Sequence, residues 1–318
     1  MIAAYFSSLS PAAFVNALPG NIAQGILWGI MALGVYITFR LLDFADLTVD
    51  GSMATGGAVT VMLTIAGVPV ALALTIAVIS GALAGLVTGL LHTKLGIPPI
   101  LAGILSQIGL YSINLNILGG ANQAISVDKY PLILSLRNVS QSIVIALIFV
   151  AIIIAIMYWY FGTEQGSALR ATGCNRAMSK AQGINTANME LIGLAISNAL
   201  VALSGGLLAQ YQGFADVQMA RGAIVIGLAA VIIGEVLGEA LFKKQMNFAL
   251  RLAFVVVGGI VYYFVIGLIL WLKMPTDDLK LFTAVIVAIF LAVPYLRKQR
   301  KSSFKLAAKR ALGIKNDV

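Results

Sequence analysis

Apolar residues in this chain fall in long unbroken blocks instead of alternating with polar ones. Nine blocks approach the roughly 20 mostly apolar residues that a helix needs to cross a bilayer. They are 21–39, 51–66, 69–92, 98–118, 140–161, 189–209, 222–241, 250–272 and 281–296. The second is short and Gly-rich, and the seventh carries Glu235 among several glycines, so each is a candidate for a broken or re-entrant segment. The pattern predicts an all-α polytopic membrane protein of about nine (eight to ten) transmembrane helices. An amphipathic lead-in is expected over 1–20, a transmembrane domain over 21–296 with a polar loop at 162–188, and a basic tail over 297–318.

Composition supports lipid as the solvent. Hydrophobic residues make up 60% of the 318 and charged residues only 10%, where soluble domains carry about 25% charged residues. The net charge of +9 is concentrated, with eight of the 21 Lys and Arg between Arg297 and Lys315. A polybasic run after a span marks the cytoplasmic side and touches anionic lipid, so membrane lipid is the expected partner of the tail and nucleic acid is not. With that tail inside, Arg40, Lys94, Arg170, Arg176, Lys180, Lys243, Lys244 and Arg251 also fall inside. Lys129, Arg137, Arg221, Lys273 and Lys280 fall outside, as does the N-terminus.

One tetrapeptide recurs in matching context. Phe44-Ala45-Asp46-Leu47 returns as Phe214-Ala215-Asp216-Val217, 170 residues later, each copy between an apolar span and a Gly/Ala-rich apolar stretch. Under nine spans the copies face opposite sides, which predicts an inverted internal repeat. That architecture belongs to transporters.

Candidate chemistry is sparse. The single Cys174 excludes an internal disulfide, and no metal-ligand spacing or catalytic triad is present, so neither a metal site nor an enzyme is expected. His92 is the lone histidine, at a span end beside Lys94. Asp43, Asp46 and Asp50 would share one face of a helix, as an interfacial cap or, in a minority reading, an ion path. In the fourth span Gln107, Tyr111 and Asn114 are spaced i, i+4 and i+7, and so line one face. That face turns to a translocation pathway or to interhelical hydrogen bonds, because amides in hydrocarbon need partners. Gln24 and Trp28 form a weaker second set. Glu235 is either a pathway carboxylate or a residue near a polar break.

The loop 162–188 carries local structure of its own. Asn175 can cap a short helix over Arg176 to Gln182 that Gly183 ends in the left-handed conformation. Asn185 or Thr186 can cap the helix that follows. Its run Gly166-Ser167-Ala168-Leu169-Arg170-Ala171-Thr172-Gly173, with Asn175, Ala177, Ala181 and Gly183-Ile184-Asn185, resembles the cytoplasmic loop of branched-chain amino-acid/ribose-type ABC importer permeases. The run Ala195 to Gly206 and Gly227-Leu228-Ala229-Ala230-Val231-Ile232-Ile233-Gly234 extend the likeness to about 20–300. Glu235 stands where the family usually has a small residue. Within the family the chain looks most like permeases of tryptophan/tyrosine-type uptake.

The resemblance implies a bacterial cytoplasmic-membrane permease subunit of an ATP-driven, binding-protein-dependent importer for a small polar solute such as an amino acid, sugar or nucleoside. It further implies an ABC ATPase subunit, an extracytoplasmic substrate-binding protein and a second permease copy, a homodimer, as partners. Arg170, Asn175, Arg176, Ala177, Met178, Ala181 and Gly183 would form the ATPase-coupling helix region. No cofactor is expected on this chain: it has no G-x-x-x-x-G-K-[ST] run, so ATP would be used by the partner. The competing class is an ion-coupled secondary transporter using the buried acids; a membrane-embedded enzyme is a third.

Overall fold

The computed structural model describes residues 11–242 and 246–272, with separate helical positions between Leu281 and Ala292. The predicted tail 297–318, the first ten residues of the lead-in, Lys243, Lys244 and most of the ninth predicted span lie outside the described residues.

Ten α-helices with defined bounds follow one another among the described residues. They are α1 Pro11–Tyr36 with a π-helical turn Ile37–Leu41, α2 Thr48–Ile65, α3 Val70–Thr93, α4 Pro99–Leu118, α5 Val139–Gly162, α6 Glu164–Cys174, α7 Arg176–Ala181, α8 Thr186–Gln212, α9 Ala223–Phe242 and α10 Phe248–Trp271. Strand β1 Asn122–Ala124 pairs antiparallel with β2 Phe214–Asp216, with Gln123 opposite Ala215. The helix α8 joins two ends of the bundle, one carrying α6 and α7, the other the β1–β2 pair.

Seven of these helices, not nine, are long and apolar enough to span a bilayer among the described residues: α1, α3, α4, α5, α8, α9 and α10. Of the two remaining predicted spans, the ninth lies mostly outside the described residues, and the second is α2. It spends its length on Asp50, Ser52 and four threonines, and nearly every residue from Thr48 to Val61 is buried in protein. It is an interior helix walled off from lipid by its neighbours. Predicted residues 11–20 are helical and run straight into the first span.

α1 and α8 form the centre. α8 packs chiefly against α3, α2 and α1, while α1 packs chiefly against α10, α8 and α9. These crossings are close because glycines admit backbone: a Cβ on Gly56 would run into the Ala202 carbonyl, and one on Gly205 into that of Met53. Without a hydrophobic drive between helices in lipid, such small-residue contact is what holds spans together. α4 and α5 lie at the rim, each with only 22% of its apolar window buried, against 83% in α1.

The core is threaded by satisfied polar groups. Asn198 on α8 donates to Asp46 Oδ2 at 2.7 Å and accepts from Ser52 Oγ at 2.6 Å. Thr48, Thr88 and Ser106 form a hydroxyl chain with 2.7 Å links. Buried polar groups in a membrane bundle must be paired internally, and these are.

The expectation of one helical face for Asp43, Asp46 and Asp50 does not hold. After the π turn the chain leaves the helix, Asp43 takes φ +54°, and only Asp50 lies in α2. Asp46 is buried, its Oδ1 accepting from Thr48 N at 2.9 Å at the start of α2.

Candidate functional site

At the α6–α7 end, local sequence builds a compact corner. Thr163 Oγ1 accepts from Gly166 N to start α6, and Asn175 Oδ1 accepts from Met178 N at 3.0 Å to start α7. Gly183, at φ +84°, lets the chain turn out of α7, and Asn185 caps α8 through Asn188 N. The caps and the glycine stop fall where the sequence places them. Arg170, Asn175, Arg176, Ala177, Ala181 and Gly183 are all exposed, and Met178 projects with 61% of its surface free. Arg170 Nη2 donates only to Ser167 Oγ among the described contacts. An open depression of about 890 Å³ lies beside α7, lined by Arg176, Ala177, Lys180 and Gly183 to Ala187.

This corner is fastened to the bundle at two points. Gly173 of α6 sits backbone-on-backbone against Leu41 and Leu42, where a Cβ would strike the Leu41 carbonyl. Arg176 Nη2 donates to Glu190 Oε2 at 3.0 Å, and Glu190 is almost wholly buried in the first turns of α8. His92 at the end of α3 approaches the same oxygen, its Nε2 at 3.6 Å. The Ile97 carbonyl lies 2.7 Å from His92 Nδ1, so that nitrogen carries the hydrogen and donates. Phe44 packs edge-on against the imidazole with centroids 5.3 Å apart. Glu190 thus links α7, α8 and α3, and His92 carries the link on to Phe44 in the segment after α1. Sequence reasoning missed it, because its partners are separated by 14 residues and by nearly a hundred in the chain.

The second site is a cavity of about 330 Å³ lined by Asp50, Gly51, Gln107, Ile108, Tyr111, Asn114, Val217, Gln218 and Arg221. The structure therefore brings Gln107, Tyr111 and Asn114 to one place, as their spacing on α4 requires. Asp50, on α2, closes the inner wall and caps a distant helix. Its Oδ2 accepts from Gly222 N at 2.8 Å and its Oδ1 from Ile224 N at 3.1 Å, at the start of α9. Gln107 Nε2 lies 3.5 Å from Oδ2. Asn114, fully buried, donates to Gly51 O at 3.4 Å and leaves its Oδ1 without a partner among the described residues.

Gln107 lies eight residues past the start of α4, about 12 Å in by the helical rise. The first turns of α2 and α9 therefore both begin inside the bundle, and their amide-rich ends bring partial positive charge to the cavity wall. Asp50 answers that charge. Gln218 and Arg221 were not picked out by the sequence, although the second Phe-Ala-Asp copy ends immediately before them.

Glu235 is elsewhere. It lies within an unbroken α9, and its Oε1 accepts from Arg40 Nε at 2.7 Å, just after the π-helical end of α1. Gln24 and Trp28 do not reach the cavity lining either; Trp28 is buried and stacks near Tyr263.

A bundle with interior helix starts around a polar cavity, and with an exposed helical corner at one end, is the architecture of a membrane permease. The chain belongs to the family described as branched-chain amino acid transport system / permease component, which matches residues 20–294. It is accordingly a permease component of an ABC-type transport system in the bacterial cytoplasmic membrane. It is similar to a tyrosine transport system permease protein of Clostridioides difficile (strain R20291), 40% identical over 287 residues, 90% of this chain and 94% of the relative. An uncharacterised protein of Rickettsia prowazekii (strain Madrid E) is 33% identical over 282 residues, 87% and 98% of the two chains. A galactofuranose transporter permease protein of Escherichia coli (strain K12) is 27% identical over 251 residues, 78% and 71%.

Proposed function

We propose that this chain is the channel-forming subunit of an ATP-driven, binding-protein-dependent importer, working as a homodimer and carrying an amino acid of the tyrosine class. The substrate class is supported by the 40% identical relative, whose name specifies tyrosine transport. In this reading the α6–α7 end is cytoplasmic, and α7 seats in a cleft of a separate ATPase subunit.

The observation that carries the reading is the fastening of an exposed helix to buried ones. Met178 offers a flexible apolar knob between small residues, Ala177 and Ala181, which suits a socket in a partner. A force on α7 reaches α8 through Arg176 and Glu190, and a force on α6 reaches the end of α1 through Gly173. These are the two central helices. Moving them displaces α2 and α9, whose starts frame the cavity.

The packing also supports an inverted repeat. α1 lies chiefly on α10 as α8 lies chiefly on α3, and α9 packs on α10 as α2 packs on α3. Each Phe-Ala-Asp copy precedes a helix that begins inside the bundle. Ion coupling through Asp46 has less support, since it is buried, lines neither described cavity, and is held by Thr48 N and Asn198.

Co-purification tests the reading. The wild-type chain is expected to bring down its ATPase, and Ala177→Glu with Ala181→Glu to abolish that association and ATP-driven uptake together. Uptake that ignores ATP and survives both substitutions would refute it.

A further inference from the structure

The cavity between α2, α4 and the 217–222 segment holds two opposite charges that do not pair with each other. Asp50 spends its carboxylate on the α9 amides and on Gln107, and remains half-buried against the open space. Arg221, exposed, donates from Nη1 to Gln218 Oε1 at 3.2 Å, and makes no ion pair among the described residues. A third group is idle: Asn114 Oδ1 is wholly buried and accepts from nothing described. Ile108, Val217 and the Tyr111 ring supply apolar surface between these groups. An acceptor buried without a partner is costly.

A ligand carrying one ammonium and one carboxylate answers all three groups at once. A neutral sugar would leave the Arg221 guanidinium without a counter-ion, and a simple cation would leave it unused. At about 330 Å³ the space is at the small end of ligand cavities, of the size for a single small metabolite. We propose that this cavity is a transient binding site for a zwitterionic α-amino acid. Its ammonium is held by Asp50 and Asn114 Oδ1, its carboxylate by the Arg221 guanidinium, and its side chain lies against Ile108, Val217 and Tyr111. The proposal rests on the importer reading and adds to it a permease-borne preference, separate from that of any binding protein.

Saturation-transfer NMR on the full chain in lipid nanodiscs tests the site with three probes: L-tyrosine, tyramine and 3-(4-hydroxyphenyl)propionate. L-Tyrosine is expected to bind about tenfold more tightly than either single-charge analogue, as one charge-assisted contact at each end implies. Arg221→Gln should weaken L-tyrosine by about tenfold and leave tyramine within about twofold, with Arg221→Lys recovering part of the loss. Because Asp50 also holds α9, Asp50→Asn can fail by misfolding, so the exposed Arg221 and the one-atom change Asn114→Asp carry the test. Asn114→Asp should tighten tyramine. Equal affinity for the three probes, or an equal loss of L-tyrosine and tyramine in Arg221→Gln, overturns the site. ATP-driven L-tyrosine uptake by the whole complex, measured in parallel, separates the two ideas. Uptake without charge-selective binding leaves the importer and removes the site, whereas charge-selective binding without ATP-driven uptake removes the importer and keeps the site.

Discussion

Single atoms decide two features of this protein. The α2–α8 crossing depends on Gly56 and Gly205, where hydrogen stands in place of a methyl group and backbone meets backbone. Gly205→Ala must push α2 from α8 and should cost about 1–3 kcal/mol, typical of overpacking a fitted interior. A lower midpoint in a thermal scan of the detergent-purified chain checks this, with Gly109→Ala as control, since nothing lies within 4 Å of a Cβ there. An unchanged midpoint for Gly205→Ala would mean that the helices are not in that contact. Glu190 is the other case. Its Oε2 is shared by Arg176 and His92, and removing its charge loosens the hold on α7 without emptying the space. Glu190→Gln should speed hydrogen exchange of the α7 amides on the order of tenfold, the factor for weakening one charge-assisted bond. Exchange confined to its wild-type rate would show that α7 is held by other contacts.

At the scale of elements, α7 is six residues long and cannot persist on propensity alone. Its cap is therefore a large share of what orders it. Asn175→Ala should cost about 1 kcal/mol of helix stability, and Asn175→Asp or Asn175→Ser should restore it, because each keeps an acceptor oxygen at the cap. ATPase recruitment in a pull-down is expected to follow that order. Equal recruitment by Ala and Asp variants would argue that α7 is not the docking element. Such short-range devices were legible in the sequence: the Asn175 cap, the Gly183 stop and most span limits fall within a few residues of their predicted places. α2 was not legible as an interior helix, because an apolar window cannot tell a lipid-facing segment from one surrounded by protein. The shared face of Asp43, Asp46 and Asp50 failed for a related reason. Their spacing is helical, but the π turn and the positive φ of Asp43 end the helix before α2 begins. The cavity was half legible: α4 supplied Gln107, Tyr111 and Asn114 by their spacing, whereas Asp50, Gln218 and Arg221 join them through contacts between distant parts of the chain, 57 residues from Asp50 to Gln107 and 172 from Asp50 to Gly222, which no local pattern encodes.

The whole molecule presents two different rims to its surroundings. Along α5, Val144, Leu147, Ile148, Ile152 and Ile156 face outward, an apolar stripe that lipid can wet. α4 is equally open but is not equally apolar. Beside Leu101, Leu105 and Ile108 its exposed surface carries Tyr111, Ser112 and Asn116, and the mouth of a cavity holding Asp50 and Arg221. Hydrocarbon against that mouth would strand amides and charges, so water and a protein partner belong there. A second copy meeting α4 to α4 would enclose the mouth between protomers, and the cavity would then open on the path between them. The chain's single cysteine makes the arrangement testable. On a Cys174→Ser background, Leu105→Cys should give a disulfide- or short-linker-bridged dimer in native membranes as the main product, while Ile152→Cys on the α5 stripe should stay monomeric. ATP trapping in the assembled complex should change the yield at Leu105→Cys if the α4 faces move against each other during transport. Bridging at Ile152→Cys with none at Leu105→Cys would place the second copy on the wrong rim. The α4 cavity would then need a different cover, and the pathway drawn through it would fall.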